Sequence, residues 1–428
     1  MTTPPGYRPL DLGQGRSADF LAIDSWAFSL PEAAVASDGI VATVDWSRSR
    51  GMETTGGAGT ATGGAHTATG ELASVHSSYG YTMRVPGGTV PTSGLTWVGV
   101  HPAHRRRGLL KSMVNDHFRR SLARGEVVST LIAAETTIYQ RFGYGLACPT
   151  YRLTLPRGAE FRAVAGSNEL RLTLASADLA AHGPAIRAVL ARDPRPGAMV
   201  TIDDALLANL FFDPEGVRDG QERRRIAIVE DERGPAAFAL FQRKLGWNDS
   251  GPEGTGSCQE AWAAVTAAAE RRLWSTLADL DLMSSFTVSS VALDSPVIHL
   301  LKDVRGATAL MRDQVWARIL DVPAALMART YGADLDVVIE VADAQIAENS
   351  RAWRLTVSGG AASVSPAEDG AAIDVRASIQ ELSAAYLGGT TFDALTTAGL
   401  VEEVRPGSVA TLSDAFRSRM APRGSSHF

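Results

Sequence analysis

The segment WVGVHPAHRRRGLLKSM, Trp97–Met113, sets the narrowest limit on what this chain can become. WVGV reads as an apolar strand. Leu109, Leu110, Met113, Val114, Phe118 and Leu122 then fall on one face of a helix predicted over Leu109–Arg124, which Gly125 can end. VVSTLIAA follows as a short apolar strand. Strand, glycine turn, helix and strand form a β-α-β unit, so this part of the chain is expected to be an α/β domain.

The turn itself is unusual. Arg105, Arg106, Arg107 and Lys111 crowd the start of the helix in a chain whose formal charge is −6. A helix N-terminus already carries roughly half a positive charge and unpaired N–H groups, so each added cation there costs a few tenths of a kcal/mol. An anionic ligand reverses the sign of every one of those terms. Backbone N–H groups and guanidinium forks together suit a pyrophosphate, and Gly108 permits close approach of the backbone. A solvated basic turn facing acidic neighbours is the plainer alternative. A nucleic-acid patch fits less well, because the run is short, lacks interleaved aromatics and sits in a mildly acidic chain.

With 428 residues the chain is expected to hold two or three domains. Only two cysteines occur, Cys148 and Cys258, which argues against a disulfide framework or a cysteine metal site and fits a reducing cytoplasm. The N-terminus has no apolar core of a signal peptide, and no apolar run is long enough to span a membrane, so neither export nor a membrane partner is expected. His101 and His104 are spaced i, i+3, but no third ligand lies nearby and no metal is expected.

Three segments follow one another, with expected limits of 1–153, 154–311 and 312–428. In the first, Ala18–Phe28 reads as a helix, GIVATVDWS as a strand, and Gly51–Gly70 as a mobile Gly/Thr-rich insert. The second repeats a mixed pattern, with helices around Ala185–Asp193 and Glu270–Asp281 and strands in RRIAIVE and PAAFALFQ, but without a basic glycine turn. In the third, LDVVIEV and RAWRLTV alternate as half-buried strands, and Ser378 with Glu381 forms a capping-box pair before a helix that Gly388 can stop. That segment reads as a small α+β domain.

WVGV followed by RRRGLL resembles the acyl-CoA signature of GCN5-related N-acetyltransferases, R/Q-x-x-G-x-G/A, with Leu110 in place of the usual last small residue. IYQRFGYG (Ile138–Gly145), DVPAAL (Asp321–Leu326), YLGG (Tyr386–Gly389) and a terminal phenylalanine are all similar to one branch, the Eis (enhanced intracellular survival) family. The resemblance covers nearly the whole chain. It implies tandem GNAT-like α/β domains, the second degenerate, followed by a sterol-carrier-like α+β domain, and assembly as a homohexamer.

It also implies a site. Val98, Gly99 and Val100 would pair with the pantetheine arm of acetyl-CoA, and Arg105–Lys111, including Leu109 and Leu110, would hold its pyrophosphate. Tyr139 would be the general acid, since a phenol with a pKa of about 10 stays protonated at neutral pH. On the residues alone Tyr139 reads rather as a core side chain, with Tyr144 its rival and Phe142 as packing; it is the match of the full phrase that favours Tyr139. The carboxylate of Phe428 would be the base, and RGSSHF is expected to be the natural end of the chain. Ala134 stands where relatives often have a serine near the thiol end, followed by Glu135. Trp26 and Phe28 are candidates for the acceptor pocket. The activity implied is acetyl transfer to a primary amine of a small molecule, an aminoglycoside above all. The alternatives are a protein-lysine acetyltransferase and a non-catalytic CoA- or lipid-binding module.

Overall fold

The computed structural model describes residues 3–29, 39–55, 70–259 and 261–428. Its first part lays Tyr7–Asp11 (β1), Arg50–Thr54 (β2), Leu72–Val85 (β3) and Gly88–Val100 (β4) side by side as an antiparallel meander. Pro86 and Gly87, the latter at φ 71°, close the two-residue turn between β3 and β4, where proline supplies the first turn angle and glycine the positive one. Helix α1 (Ser17–Phe28) lies on this sheet, with Ile23 and Ala27 against Gly99. Helix α2 (Leu109–Ala123) follows the arginine turn, and Gly125 at φ 75° ends it as expected. Val128–Leu131 (β5), the short helix α3 (Thr136–Tyr139) and Gly145–Pro156 (β6) complete this part.

Strand β4 bulges in the middle. Val75 pairs with Gly99 but Ser77 pairs with Thr96, so Trp97 and Val98 together oppose His76, and Trp97 takes φ 55°. Strand β5 pairs with β4 in parallel only from Thr92–Val128 to Gly94–Thr130. Beyond Gly94 the two strands part, leaving a wedge between Leu95–Val100 and the chain after Leu131.

The second part contains Arg171–Ser176 (β7), Leu179–Arg192 (α4), Met199–Ile202 (β8), Asp204–Phe211 (α5), Arg225–Asp231 (β9) and Gly234–Lys244 (β10). A small hairpin, Trp247–Asn248 (β11) with Gly251–Pro252 (β12), leads to Gly254–Cys258 (β13), Trp262–Ala264 (β14), Ala267–Leu277 (α6), Met283–Ala292 (β15), Pro296–Leu300 (α7) and Thr308–Ile319 (β16). Its own core gathers Trp262, Trp274, Phe241 and Phe286.

The two parts share one sheet, in the order β1-β2-β3-β4-β5-β16-β6-β15-β13-β10-β9-β7. Strand β16 is threaded between β5 and β6, pairing Ala317 with Thr130 on one side and with Gly145 on the other. The expected limits at 153/154 and 311/312 therefore fall inside β6 and β16, because those strands are common to both halves of the sheet.

Val322–Met327 (α8) opens the third part, whose sheet runs Ala361–Pro366 (β19), Arg351–Ser358 (β18), Leu335–Ala342 (β17), Val375–Ser378 (β20), Val401–Glu403 (β21). Leu335, Val337, Ile339 and Val341 of β17 are buried, as are Trp353, Leu355 and Val357 of β18, which matches the predicted alternation. Helices α9 (Ile379–Ala385), α10 (Phe392–Thr397) and α11 (Ser408–Phe416) cover it, and Ser378 caps α9 while bonding Glu381.

Two expectations fail. GIVATVDWS is no strand: Ile40–Thr43 forms a 3-10 turn whose Thr43 hydroxyl donates back to Ile40, and Ile40 and Val44 plug the core under α1. The insert begins later than expected, because Arg50–Thr54 is a buried strand of the sheet; most of the remainder, 56–69, lies outside the described residues.

Candidate active site

A cleft of about 860 Å³ opens in the wedge. Val98 and Val100 of β4 form one wall; Ala134, Glu135 and Tyr139 form the other; Arg105, Arg106, Gly108, Leu109, Leu110 and Lys111 close one end. Arg106 at φ 61° and Gly108 at φ 83° are both left-handed, a winding that turns successive backbone N–H groups toward one concavity. Gly108 caps the helix without any side-chain hydrogen bond, and a Cβ there would meet only Pro4, at 3.8 Å. Arg105, Arg106 and Lys111 are exposed, with no carboxylate within 4 Å among the described residues. Among the described residues no carboxylate pairs with these cations, and the donors fit a phosphate-bearing ligand. Arg107 faces away, donating to the Tyr7 hydroxyl at 2.9 Å.

The phrase IYQRFGYG lies at the other end. Tyr139 is half-buried, and burial first, then the Glu135 carboxylate, pushes its phenol up to about 12. Its ring meets Tyr144 edge-on at 6.0 Å. Tyr144, the rival, is fully buried and bonded to Ser129 Oγ at 2.7 Å, so it has no access to the cleft. Phe142 belongs to the core while touching the cleft.

The two glycines of the phrase have a structural cause. A Cβ on Gly143 would meet Arg318 and Ile379 at 2.6 and 2.7 Å, and one on Gly145 would meet the backbone of α9 at Gln380 O, 2.1 Å away. Arg318 donates to the Phe142 carbonyl at 2.8 Å and, fully buried, pairs with both oxygens of Asp343 at 2.7 Å. Asp343 also accepts from the backbone N–H of Gln345, whose residue lines the cleft. The third domain thus buttresses the tyrosine turn and contributes to the wall.

Phe428 does not line this cleft. The last residues cross from the third domain over the second and end beneath β4. Arg423, fully buried, donates to Asp193 at 2.7 Å and to the Trp262 carbonyl at 2.9 Å, stacked 4.1 Å over that indole. Gly424 exchanges two 2.9 Å hydrogen bonds with the Gln314 amide, and Ser426 bridges to Ala261. The Phe428 ring then packs edge-on to Tyr79 and Tyr81, at 5.8 and 6.2 Å, against Gly94, where a Cβ would come within 2.8 Å of it. Gly94 is the residue at which β4 and β5 part, so the terminus reaches the apex of the wedge.

The expected acceptor residues divide. Phe28 borders the cofactor-side cleft; Trp26 is 61% exposed and packs on His101, away from Phe428. His104 bonds the Tyr7 hydroxyl, so the two histidines are spent on aromatic neighbours. Among the buried residues of α1, Phe20, Leu21, Ile23 and Asp24, the one polar side chain is Asp24, which sequence reasoning missed. Burial pushes its carboxyl up to about 7, its Oδ1 is buried with no hydrogen-bond partner, and its charge reaches the Tyr79 hydroxyl. A lone aspartate in a helix carries no sequence signature.

Also missed is a buried polar layer beneath the wedge: His117 Nε2 and Tyr144 Oη both bond Ser129 Oγ, and Tyr81 Oη bonds Thr130 Oγ1 at 2.5 Å. Burial holds the His117 and His76 imidazoles neutral, His76 down to about 4. No group of His, Cys, Asp or Glu among the described residues could hold a metal ion, and no described helix is long and apolar enough to cross a membrane.

A parted pair of parallel strands with a basic glycine turn across its mouth defines a GNAT-type N-acetyltransferase, a class that uses acetyl-CoA. Family models agree: acetyltransferase (GNAT) domains match residues 30–147 and 204–319, and a sterol carrier protein domain matches 322–423. An uncharacterized N-acetyltransferase of Streptomyces coelicolor is 38% identical over 352 residues, 81% of this chain and 83% of its own. N-acetyltransferase Eis of Mycobacterium tuberculosis is 32% identical over 352 residues, 78% of this chain and 81% of its own. The crystal structure of Eis1 from Mycobacterium abscessus superposes with a TM-score of 0.79 at 27% identity, covering 99% of this chain and all of that one. The chain belongs to the Eis family of N-acetyltransferases.

Proposed function

We propose that the protein acetylates primary amines of small polycationic acceptors, aminoglycosides at one or more positions in particular, and so acts as a resistance enzyme in the cytoplasm, assembled as a homohexamer. The observation that carries this reading is the arrangement of the wedge: cations at its mouth that are unpaired among the described residues, a half-buried phenol on its wall, and Phe428 at its apex.

The residues divide the chemistry as follows. The open edge of β4 at Val98–Val100 offers backbone groups to the extended pantetheine arm of acetyl-CoA, as a strand edge receives an added strand. The arginine turn holds the pyrophosphate. The carboxylate of Phe428 takes a proton from the acceptor ammonium, freeing the nitrogen lone pair to form the new C–N bond with the acetyl carbon. As the C–S bond breaks, Tyr139 gives its phenolic proton to the departing sulfur; the second proton, shed by the nitrogen of the new amide, restores the phenol, and the one held by the carboxylate passes to solvent.

Release of free CoA thiol from acetyl-CoA, measured against a panel of aminoglycosides and polyamines, tests the reading. Turnover of aminoglycosides, lost on Tyr139→Phe and on deletion of Phe428 while acetyl-CoA still binds, is the expected result. Acetyl-CoA binding with no amine turned over would favour a non-catalytic CoA- or lipid-binding module. Turnover confined to protein lysines would favour a protein acetyltransferase.

A further inference from the structure

A second cavity, of about 670 Å³, lies far along the sheet from the cleft, where all three domains meet. Its walls are the β3–β4 turn, the loop after α4, the segment after α8 and the segment after α11. No aspartate or glutamate lines it, whereas three arginines do: Arg84, Arg417 and Arg419. None of the three has a carboxylate partner among the described residues. Arg84 spends one N–H on the Ala191 carbonyl, and its Nε is buried with no acceptor at all.

Four other arginines at the domain junctions differ. Arg423, Arg318, Arg195 and Arg192 near the same domain junctions each hold a carboxylate. Three unpaired guanidinium groups around one concavity repel each other, and an anion between them reverses that cost. The hydroxyls of Thr89, Thr330 and Ser418 stand on the same lining and add donors. Backbone bonds hold the walls together: Thr330 N–H to Pro86 O at 2.7 Å and Gly197 N–H to Arg84 O at 2.8 Å. The site is formed in advance, and its size lies within the range of about 300–1,000 Å³ typical of small-molecule pockets.

We propose that this junction cavity binds a small phosphate-bearing anion, held by Arg84, Arg417 and Arg419, at a place separate from the acetyl-CoA cleft. Guanidinium forks bond phosphate oxygens in pairs, which lysines do not, and the cations here are arginines. A ligand so held would touch all three domains at once.

Calorimetric titration of the full-length protein with inorganic pyrophosphate, after saturation with CoA, is the test. Arg417→Gln/Arg419→Gln is the main variant, since both side chains are exposed and unpaired and their loss leaves no buried group stranded. Binding that survives saturating CoA, and that weakens by about tenfold or more in the double variant, is the expected result. Arg84→Gln should weaken it as well. Unchanged acetyl-CoA affinity in the variants reports that the fold is intact. Pyrophosphate displaced by CoA, binding indifferent to the arginine substitutions, or no binding at millimolar concentration would each overturn the proposal. Failure of acetyl-CoA to bind would instead strike the reading of the cleft, and the comparison of wild type with variant for pyrophosphate alone would still decide this one.

Discussion

Tyr139 and Asp24 have opposite relations to the sequence. The tyrosine could be picked out because it sits in the phrase IYQRFGYG, yet the residues alone also allowed a core tyrosine; burial and a place on the cleft wall are both true of it. Tyr139→Phe keeps the ring packing on Tyr144 and removes only the proton, so kcat should fall roughly 10²–10⁴-fold with acetyl-CoA affinity unchanged, measured by steady-state kinetics and calorimetry. With its pKa at about 12, the phenol should contribute no alkaline limb to the rate profile below about pH 11. Asp24 was illegible because its role follows from what surrounds it, contributed by residues distant in sequence. Its folded pKa, about 7, lies above the unfolded value, so the native form binds the extra proton between about pH 4 and 7. Stability should therefore fall as pH rises through that window. Urea melts at several pH values should show this slope in the wild type and a flatter one in Asp24→Asn.

Among the elements, periodicity located the helices and the exposed-face strands well. The helix after the arginine turn runs Leu109–Ala123 against an expected Leu109–Arg124, because an amphipathic face and a terminal glycine are both local signals. GIVATVDWS misled because β-branched residues suit any buried position, and its burial is under α1 rather than within the sheet. The bulge in β4 and the parting of β4 from β5 left no trace in composition, since register depends on two segments at once. At the mouth of the wedge, Arg105→Gln/Arg106→Gln should raise KM for acetyl-CoA by about tenfold or more and leave kcat nearly unchanged, because on the proposed reading these groups hold the end that does not react. At the apex, Gly94→Val would drive a side chain into the Phe428 ring. It should abolish turnover while acetyl-CoA continues to bind, a separation that saturation kinetics and calorimetry together would show.

Two buried ion pairs cross the domains of the molecule. Arg318–Asp343 joins the tyrosine turn to the third domain, and Arg423–Asp193 fixes the tail to the second. Removing one partner strands a buried charge, so Asp343→Ala should destabilise the protein by about 3–5 kcal/mol in chemical unfolding. Three-part division was legible from the changes in pattern along the chain, and the missing basic turn in the middle part is real: RRRIAIVE runs into β9. The sharing of strands between parts was not legible, because a strand's neighbours are chosen in space.

Strand β16 has a consequence for how the protein is made. Thr308–Ile319 fills the gap between β5 and β6, and Arg318, which supports the tyrosine turn, rides on it. A ribosome delivers residues in order, N-terminal domains first. By the time 153 residues have emerged, the first α/β layer still has two open strand edges and an unsupported turn. The nascent chain must keep those edges from pairing wrongly until Ile319, the end of β16, has been added, by which point the chain has more than doubled in length, and the third domain and tail follow later still. The support that Arg318 gives the tyrosine turn thus arrives only after the second part has been made, and its partner Asp343 later still.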